Sequence, residues 1–386
     1  MHTNPVIFLL NALNVGGSET KTVHLVNSLF HRGWPVHLLY LNPPDTLIGK
    51  LDPAVPVQCL ERRGKISLRA VLRLYEYAKR HNVRTIVATN LYPSIYSSAA
   101  KCLLQSGQVR NFVTVNTTDH VGLKDKVQMI VYAPVLRRAD HVVFGCEAQM
   151  NQWIASYRLR AGNGSVIYNG VDLVRFRPGS SHDASQHLRE KLGYSADDII
   201  VGTVGQLRPE KGHADLIEVL SQLLKDVPNA KGLFVGDGPE RDALKTSIEA
   251  VGMADRITLL GEVQDVRPAL ELMDIFVLPS VAVETFSNAA LEAMAFGKPV
   301  ILSDIGGARE MIADGYSGRI FPRRDMGSLS KILLELARDP FKRRTLGCNA
   351  RQSVEDRFSY AKMVEAFEHL LEGDRQFAES SSQRWI

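Results

Sequence analysis

The chain has 386 residues, 45% of them hydrophobic and 23% charged. That composition excludes wholesale disorder, and at about 100 to 200 residues per domain it predicts two or three domains, with no recurring period that would indicate a solenoid or propeller. The formal charge of +4 conceals an asymmetry: residues 1–175 carry 20 Lys and Arg against 10 Asp and Glu, net +10, while the remainder carries 26 against 32, net −6. A basic half of this kind is suited to an anionic partner.

In chain order, β-branched or apolar runs at Val6–Leu10, Val36–Leu41, Thr85–Thr89, Phe112–Val115, His141–Phe144 and Ser165–Tyr168 each lead into an amphipathic segment. This alternation predicts βαβ units and a parallel sheet. The rhythm breaks at Asn169-Gly170-Val171-Asp172 and at the polar run Arg177-Pro178-Gly179-Ser180-Ser181-His182-Asp183, which is turn and linker chemistry. A second series follows: Ile199–Val204, Gly232–Val235, Ile257–Leu260, Asp274–Leu278 and Val300–Ser303. The predicted fold is therefore α/β, with two Rossmann-like doubly wound parallel sheets facing a central cleft, residues 1–175 and 176–358. Residues 359–386 would form a last helix crossing back to the first domain. Ligands of such sheets bind at the carboxyl ends of the strands.

Cys59, Cys102, Cys146 and Cys348 are scattered, which indicates neither a disulfide framework nor a zinc site and is read as buried free thiols in a reducing compartment. No apolar stretch approaches the roughly 18 residues of a membrane span, and the N-terminal run has no basic leader. A cytoplasmic protein is expected, with room for peripheral association with the inner face of the membrane.

Three loops carry chemistry. Gly16-Gly17-Ser18-Glu19 follows the first strand and opens a helix, where unpaired N–H groups and the positive dipole end favour phosphate. It fits neither the dinucleotide nor the Walker pattern. Gly205-Gln206-Leu207-Arg208-Pro209-Glu210-Lys211-Gly212 repeats the device with two cations able to reach a diphosphate, and Gly236-Asp237-Gly238-Pro239 is a structural turn. In Glu284-Thr285-Phe286-Ser287-Asn288, Glu284 lies in a loop at a strand's carboxyl end, Ser287 or Asn288 caps the next helix, Glu292 lies within it and Gly297 ends it. Eight residues at helical rise separate the carboxylates by roughly 12 Å. Such a pair cannot flank one scissile bond, but it can hold two ends of an extended ligand.

Taken in order, these residues resemble the retaining nucleotide-sugar glycosyltransferases of the GT-B fold, family 4, also called group 1. Asn169-Gly170-Val171-Asp172, Gly297-Lys298-Pro299-Val300, Gly306-Gly307-Ala308-Arg309-Glu310 and Asp314-Gly315-Tyr316-Ser317-Gly318 extend the likeness. The resemblance implies that Glu284 holds donor-sugar hydroxyls, that Glu292 holds the ribose and that Lys211 neutralises the departing diphosphate. Gly16, Gly17 and the backbone of Thr285, Phe286, Ser287 and Asn288 would help hold the donor, a UDP-, GDP- or ADP-sugar. It further implies transfer with retention to a glycan or lipid-linked acceptor, as in polysaccharide biosynthesis, without cofactor or metal. The absence of any Asp-x-Asp agrees with the last point.

Two positions depart from the family pattern. Gln206 stands where an arginine is common, so Arg208 either replaces that cation or points to solvent. The family's histidine after about the fifth strand falls nearest Asn116, and His120 follows four residues later, either as a catalytic group or as a loop residue. On the acceptor side, residues 61–84 hold eight basic and two acidic side chains. At 100° per residue Arg69, Arg73 and Arg80 share one stripe, and Leu68, Val71, Leu72 and Tyr75 would pack inward. With Lys124, Lys126, Arg137 and Arg138 they are suited to an anionic lipid or glycan; no nucleic-acid-binding motif is present. Two rival readings are a GT-B nucleotide-sugar epimerase and a non-catalytic nucleotide-sugar-binding protein.

Overall fold

The computed structural model describes residues 4–14, 16–104, 109–116 and 123–373, the side chains of 123–126 and 161 excepted. The chain divides into two compact units, Met1–Tyr168 with Met363–Ile386, and Asn169–Lys362. The first unit contains β1 (Val6–Leu10), α1 (Gly17–His31), β2 (Val36–Tyr40), β3 (Val57–Cys59), α2 (Leu68–Arg80) and β4 (Thr85–Thr89). It continues with α3 (Leu91–Leu103), β5 (Arg110–Val115), α4 (Leu123–Arg138), β6 (His141–Phe144), α5 (Glu147–Tyr157) and β7 (Gly164–Val166). Its seven strands run in the order β3-β2-β1-β4-β5-β6-β7.

The second unit contains α6 (His182–Lys191), β8 (Ile199–Val204), α7 (His213–Asp226), β9 (Ala230–Val235), α8 (Arg241–Ala250), β10 (Ile257–Gly261) and α9 (Arg267–Leu272). There follow β11 (Ile275–Leu278), α10 (Asn288–Ala295), β12 (Val300–Ser303), α11 (Ala308–Met311), β13 (Arg319–Phe321), α12 (Met326–Arg338) and α13 (Pro340–Arg357). Its six strands are ordered β10-β9-β8-β11-β12-β13. The last helix, α14 (Tyr360–Glu372), enters the first unit at Met363, where Glu368 accepts hydrogen bonds from Arg32 at 2.6 Å and from the Trp34 indole at 3.0 Å.

Strand pairing is parallel throughout both sheets. The strands β1, β2, β4 and β11 are buried at every residue, which is why they appear in sequence as mostly apolar runs without a strict polar alternation. Both sheets are doubly wound, and their order reverses between β1 and β4 and between β8 and β11. Crevices open at such switch points, and the segments flanking the glycine loop at residue 16 and the Lys211 and Glu284 loops leave from these strands.

Four expectations are corrected. The three-residue edge strands β3 and β13 are absent from the sequence reading, because a run that short carries no periodic signal. In α2 the buried face is Ala70, Val71, Leu74 and Ala78, whereas Leu68 and Leu72 are 70% and 43% exposed. Only Val71 of the expected inward set is buried, since Ala70 and Ala78 on the covered face let this helix lie close against α3. Cys146 is buried, but Cys102 and Cys348 are exposed. Finally, α10 begins at Asn288, so only half of the separation between Glu284 and Glu292 is helical and the 12 Å axial estimate does not apply.

Candidate active site

In the second unit two loops close on each other. The turn Pro209–Lys211 follows β8 and the segment 279–287 follows β11. The Glu210 carbonyl accepts the backbone N–H groups of Val281 at 2.8 Å and Ala282 at 3.2 Å. Gly212, at φ +68°, permits the approach: a Cβ there would lie 2.2 Å from the Pro279 carbonyl oxygen. This juxtaposition brings the Lys211 ammonium within 2.7 Å of Glu284 Oε2, on which the Ser280 hydroxyl also donates at 3.1 Å. Both side chains are mostly shielded from water, 23% and 15% exposed, so the pair is less screened than a surface ion pair.

The backbone that aims Glu284 is strained. Val283 has φ +54°, a region that β-branched residues avoid at a cost of about 1–3 kcal/mol. A second clasp comes from Gly306, where a Cβ would lie 1.9 Å from the Glu284 carbonyl oxygen, and from the Gly307 N–H, which donates to Thr285 O at 2.8 Å. Gly236 and Gly238 act likewise on the other loop: Cβ atoms there would clash with the Gly205 and Leu207 carbonyls.

Glu292 lies in the second turn of α10. Burial, with some help from the Asp265 carboxylate and against the pull of Arg175, raises its carboxyl to about 7. A proton-sharing or hydroxyl-bonding carboxyl is what such an environment provides.

In the first unit Gly16 leads into α1 without capping it through a side chain. No atom lies within 4 Å of a Cβ built at Gly17, whereas one at Gly16 would meet Glu19 Oε2 at 2.5 Å. The Glu19 carboxylate therefore folds back over its own helix end, and burial raises its proton affinity. At the carboxyl edge of the same sheet Lys21 Nζ donates to Asn116 Oδ1 at 3.1 Å, and Asn116 Nδ2 donates to Asn90 Oδ1 at 3.0 Å. Burial pushes the Lys21 ammonium down to about 8.

Known protein families match this chain in both of its halves. The model for Glycosyltransferase Family 4 matches residues 15–175, and that for Glycosyl transferases group 1 matches residues 184–353. The chain belongs to the group 1 glycosyltransferases of the GT-B fold. One relative is the GDP-mannose-dependent monoacylated alpha-(1-6)-phosphatidylinositol monomannoside mannosyltransferase of Corynebacterium glutamicum, 30% identical over 60% of this chain and 64% of that one. A second is the putative glycosyltransferase EpsD of Bacillus subtilis, 32% identical over 51% of each chain. The chain thus spans less than two thirds of either. N-acetyl-alpha-D-glucosaminyl L-malate synthase of Bacillus anthracis is 26% identical over 92% of this chain and 94% of its own. Among solved structures, Anabaena HepE in complex with UDP superposes with a TM-score of 0.85 at 23% identity, covering 95% of this chain and 99% of that one.

Against the group 1 pattern, the remaining site residues fall as follows. The Phe286 ring packs on Phe358 at 5.1 Å and is 4% exposed, so a ligand meets residue 286 only through its backbone. Ser287 caps α10 by accepting the Ala290 N–H at 3.2 Å, while Asn288 is exposed. Gln206 is exposed, and the Arg208 side chain is half exposed, 3.8 Å from Glu210. His120 lies outside the described residues, as do the side chains of Lys124 and Lys126. Among the described residues no group of three or more His, Cys, Asp and Glu forms a metal cluster. Sequence reasoning missed Ser280, Val283 and Lys21. A serine and a valine in a loop carry no signal, but a lysine two residues after Glu19 in the glycine motif was a visible one.

Proposed function

We propose that this protein transfers a sugar from a nucleotide sugar to a hydroxyl of a glycan or lipid-linked acceptor, with retention and without a metal ion. The observation that carries this reading is the Lys211–Glu284 pair at 2.7 Å, held by the strained Val283 and the Gly306 clasp. Such a pair presents an ammonium to a diphosphate and, beside it, a carboxylate to sugar hydroxyls. Glu292 takes the ribose, and backbone N–H groups at Gly16, Gly17 and residues 285–288 serve the phosphates. In the reaction the acceptor oxygen bonds to the anomeric carbon, the bond from that carbon to the diphosphate oxygen breaks, and the acceptor's proton passes to the departing phosphate. Fixed cations and helix ends stabilise the negative charge as it develops there. Arg208, next to the lysine, supplies the cation missing at Gln206.

The acceptor side is assigned to the basic first unit, where Lys21 donates to Asn116 at the carboxyl edge of the sheet. The names of relatives support a lipid-linked or small polar acceptor: the Corynebacterium protein is named for a phosphatidylinositol mannoside. A peripheral site on an anionic membrane accords with this, because Ile66, Leu68 and Leu72 are exposed beside Arg63, Lys65 and Arg69. Thermal melting with UDP-, GDP- and ADP-sugars tests donor use, since a ligand of the native state raises its melting temperature. One of the three should raise it by several degrees; no response to any of them contradicts donor binding. A product assay separates the rivals: isomerised donor without acceptor would indicate an epimerase, and binding without transfer a sensor.

A further inference from the structure

The run Asn169-Gly170-Val171-Asp172 opens the second unit, and its first residue makes a contact far along the chain. The Asn169 side-chain amide donates to the Phe286 carbonyl oxygen at 2.7 Å, across 117 positions. Both ends of this bond are held by their surroundings. A Cβ at Gly170 would lie 2.7 Å from the Ser359 carbonyl oxygen, the Val171 N–H donates to Phe358 O at 2.9 Å, and the Tyr360 N–H donates to Val171 O at 2.9 Å. Residues 169–171 are thereby laced to residues 358–360. The Phe286 ring closes the triangle by packing on the Phe358 ring, with 5.1 Å between centroids, and both rings are buried.

The bond governs the peptide between Phe286 and Ser287. That peptide is trans and planar, so the Ser287 N–H points away from the side on which Asn169 holds the carbonyl. Among the described residues the N–H groups of Ser287, Asn288 and Ala289 have no hydrogen-bond partner, whereas the Ala290 N–H is taken by Ser287 Oγ at 3.2 Å. These are the orphan donors that every helix start leaves, and Asn169 aims the first of them. With the Phe286 ring pinned, the freedom left to this segment is rotation of the peptide plane. Turned over, the peptide would set a carbonyl oxygen where the N–H stood, and that oxygen repels an anion. We infer that Asn169 is a positioning residue of the donor site, holding the Phe286–Ser287 peptide in the orientation that offers an N–H to the diphosphate. The role rests on the reading of residues 285–288 as donors to the phosphates. Asparagine meets the requirement because its amide is a neutral donor on a short stem; an aspartate would set oxygen against oxygen.

The test is calorimetric titration of the full chain with UDP, GDP and ADP, and with the nucleoside of whichever diphosphate binds. Asn169→Leu, similar in shape but without the donor, should bind that diphosphate roughly tenfold more weakly, the scale on which a hydrogen bond to a charged group registers. Its affinity for the nucleoside should stay that of the parent, because the nucleoside has no phosphate to meet the peptide. Asn169→Gln, which keeps the amide on a longer stem, should recover part of the loss. Asn169 is only partly buried, so these variants should fold, which the melting temperature checks. Asn169→Ser, whose hydroxyl is too short to reach the carbonyl, takes the place of the leucine variant if that one does not fold, with the same result expected. The inference is overturned if the folded variant binds the diphosphate as the parent does, or if diphosphate and nucleoside affinities fall in step, as a general loosening of the loop would cause. Absence of heat with all three diphosphates in the parent would remove the donor reading and this role with it, whereas equal diphosphate binding by parent and variant removes the role alone.

Discussion

At position 283 a β-branched side chain sits at φ +54°, where glycine would rest without penalty. The strain is retained next to the carboxylate that faces Lys211, which suggests that it fixes the direction of Glu284. Val283→Gly should therefore leave the melting temperature unchanged or slightly raised, since relief of about 1–3 kcal/mol of strain outweighs the entropy of glycine at about 0.5–1 kcal/mol. Turnover should nevertheless fall, because the loop is then free to turn the carboxylate away. Glu292 is the converse case, a group whose charged form the fold disfavours. Between pH 4.5 and about 7 the folded chain keeps a proton on Glu292 that the unfolded chain has released, so the stability this contributes is lost as pH rises through that window. Glu292→Gln should melt progressively higher than the parent from pH 5 to pH 8 and yet bind nucleotide more weakly. A melting difference independent of pH would show that Glu292 is ionised throughout.

At the scale of elements, the strands were legible where they are central. β1, β4, β6, β8 and β12 match the predicted runs residue for residue, because burial on both faces leaves them mostly apolar. The edge strands β3 and β13 and the buried face of α2 were not legible, the first for want of length and the second because Ala70 and Ala78 form core without looking apolar enough. The loops were legible as glycine patterns but not as contacts. Lys211 and Glu284 are 73 positions apart, and only the Glu210 carbonyl and the missing Cβ of Gly212 reveal that they meet. The misread helix also gives a prediction: Leu68 and Leu72 are exposed among arginines, an arrangement suited to an anionic interface. Co-sedimentation with phosphatidylglycerol vesicles should exceed that with phosphatidylcholine and drop several-fold in the double variant Leu68→Ser with Leu72→Ser. Equal pelleting of parent and variant would remove α2 from the acceptor side.

For the whole molecule, the charge asymmetry of the opening arithmetic acquires a division of labour. The acidic second unit commits Lys211 to a carboxylate, while the basic first unit keeps Arg69 and Arg80 of α2 exposed. The central claim is that the Lys211–Glu284 pair is the donor's clamp, and transfer of labelled sugar from the nucleotide sugar that stabilises the chain tests it most directly. In Glu284→Gln and Lys211→Met the rate should fall roughly 10²–10³-fold, the scale on which loss of a group stabilising the transition state registers, with melting temperatures within a few degrees of the parent. Full activity in either folded variant would contradict the account.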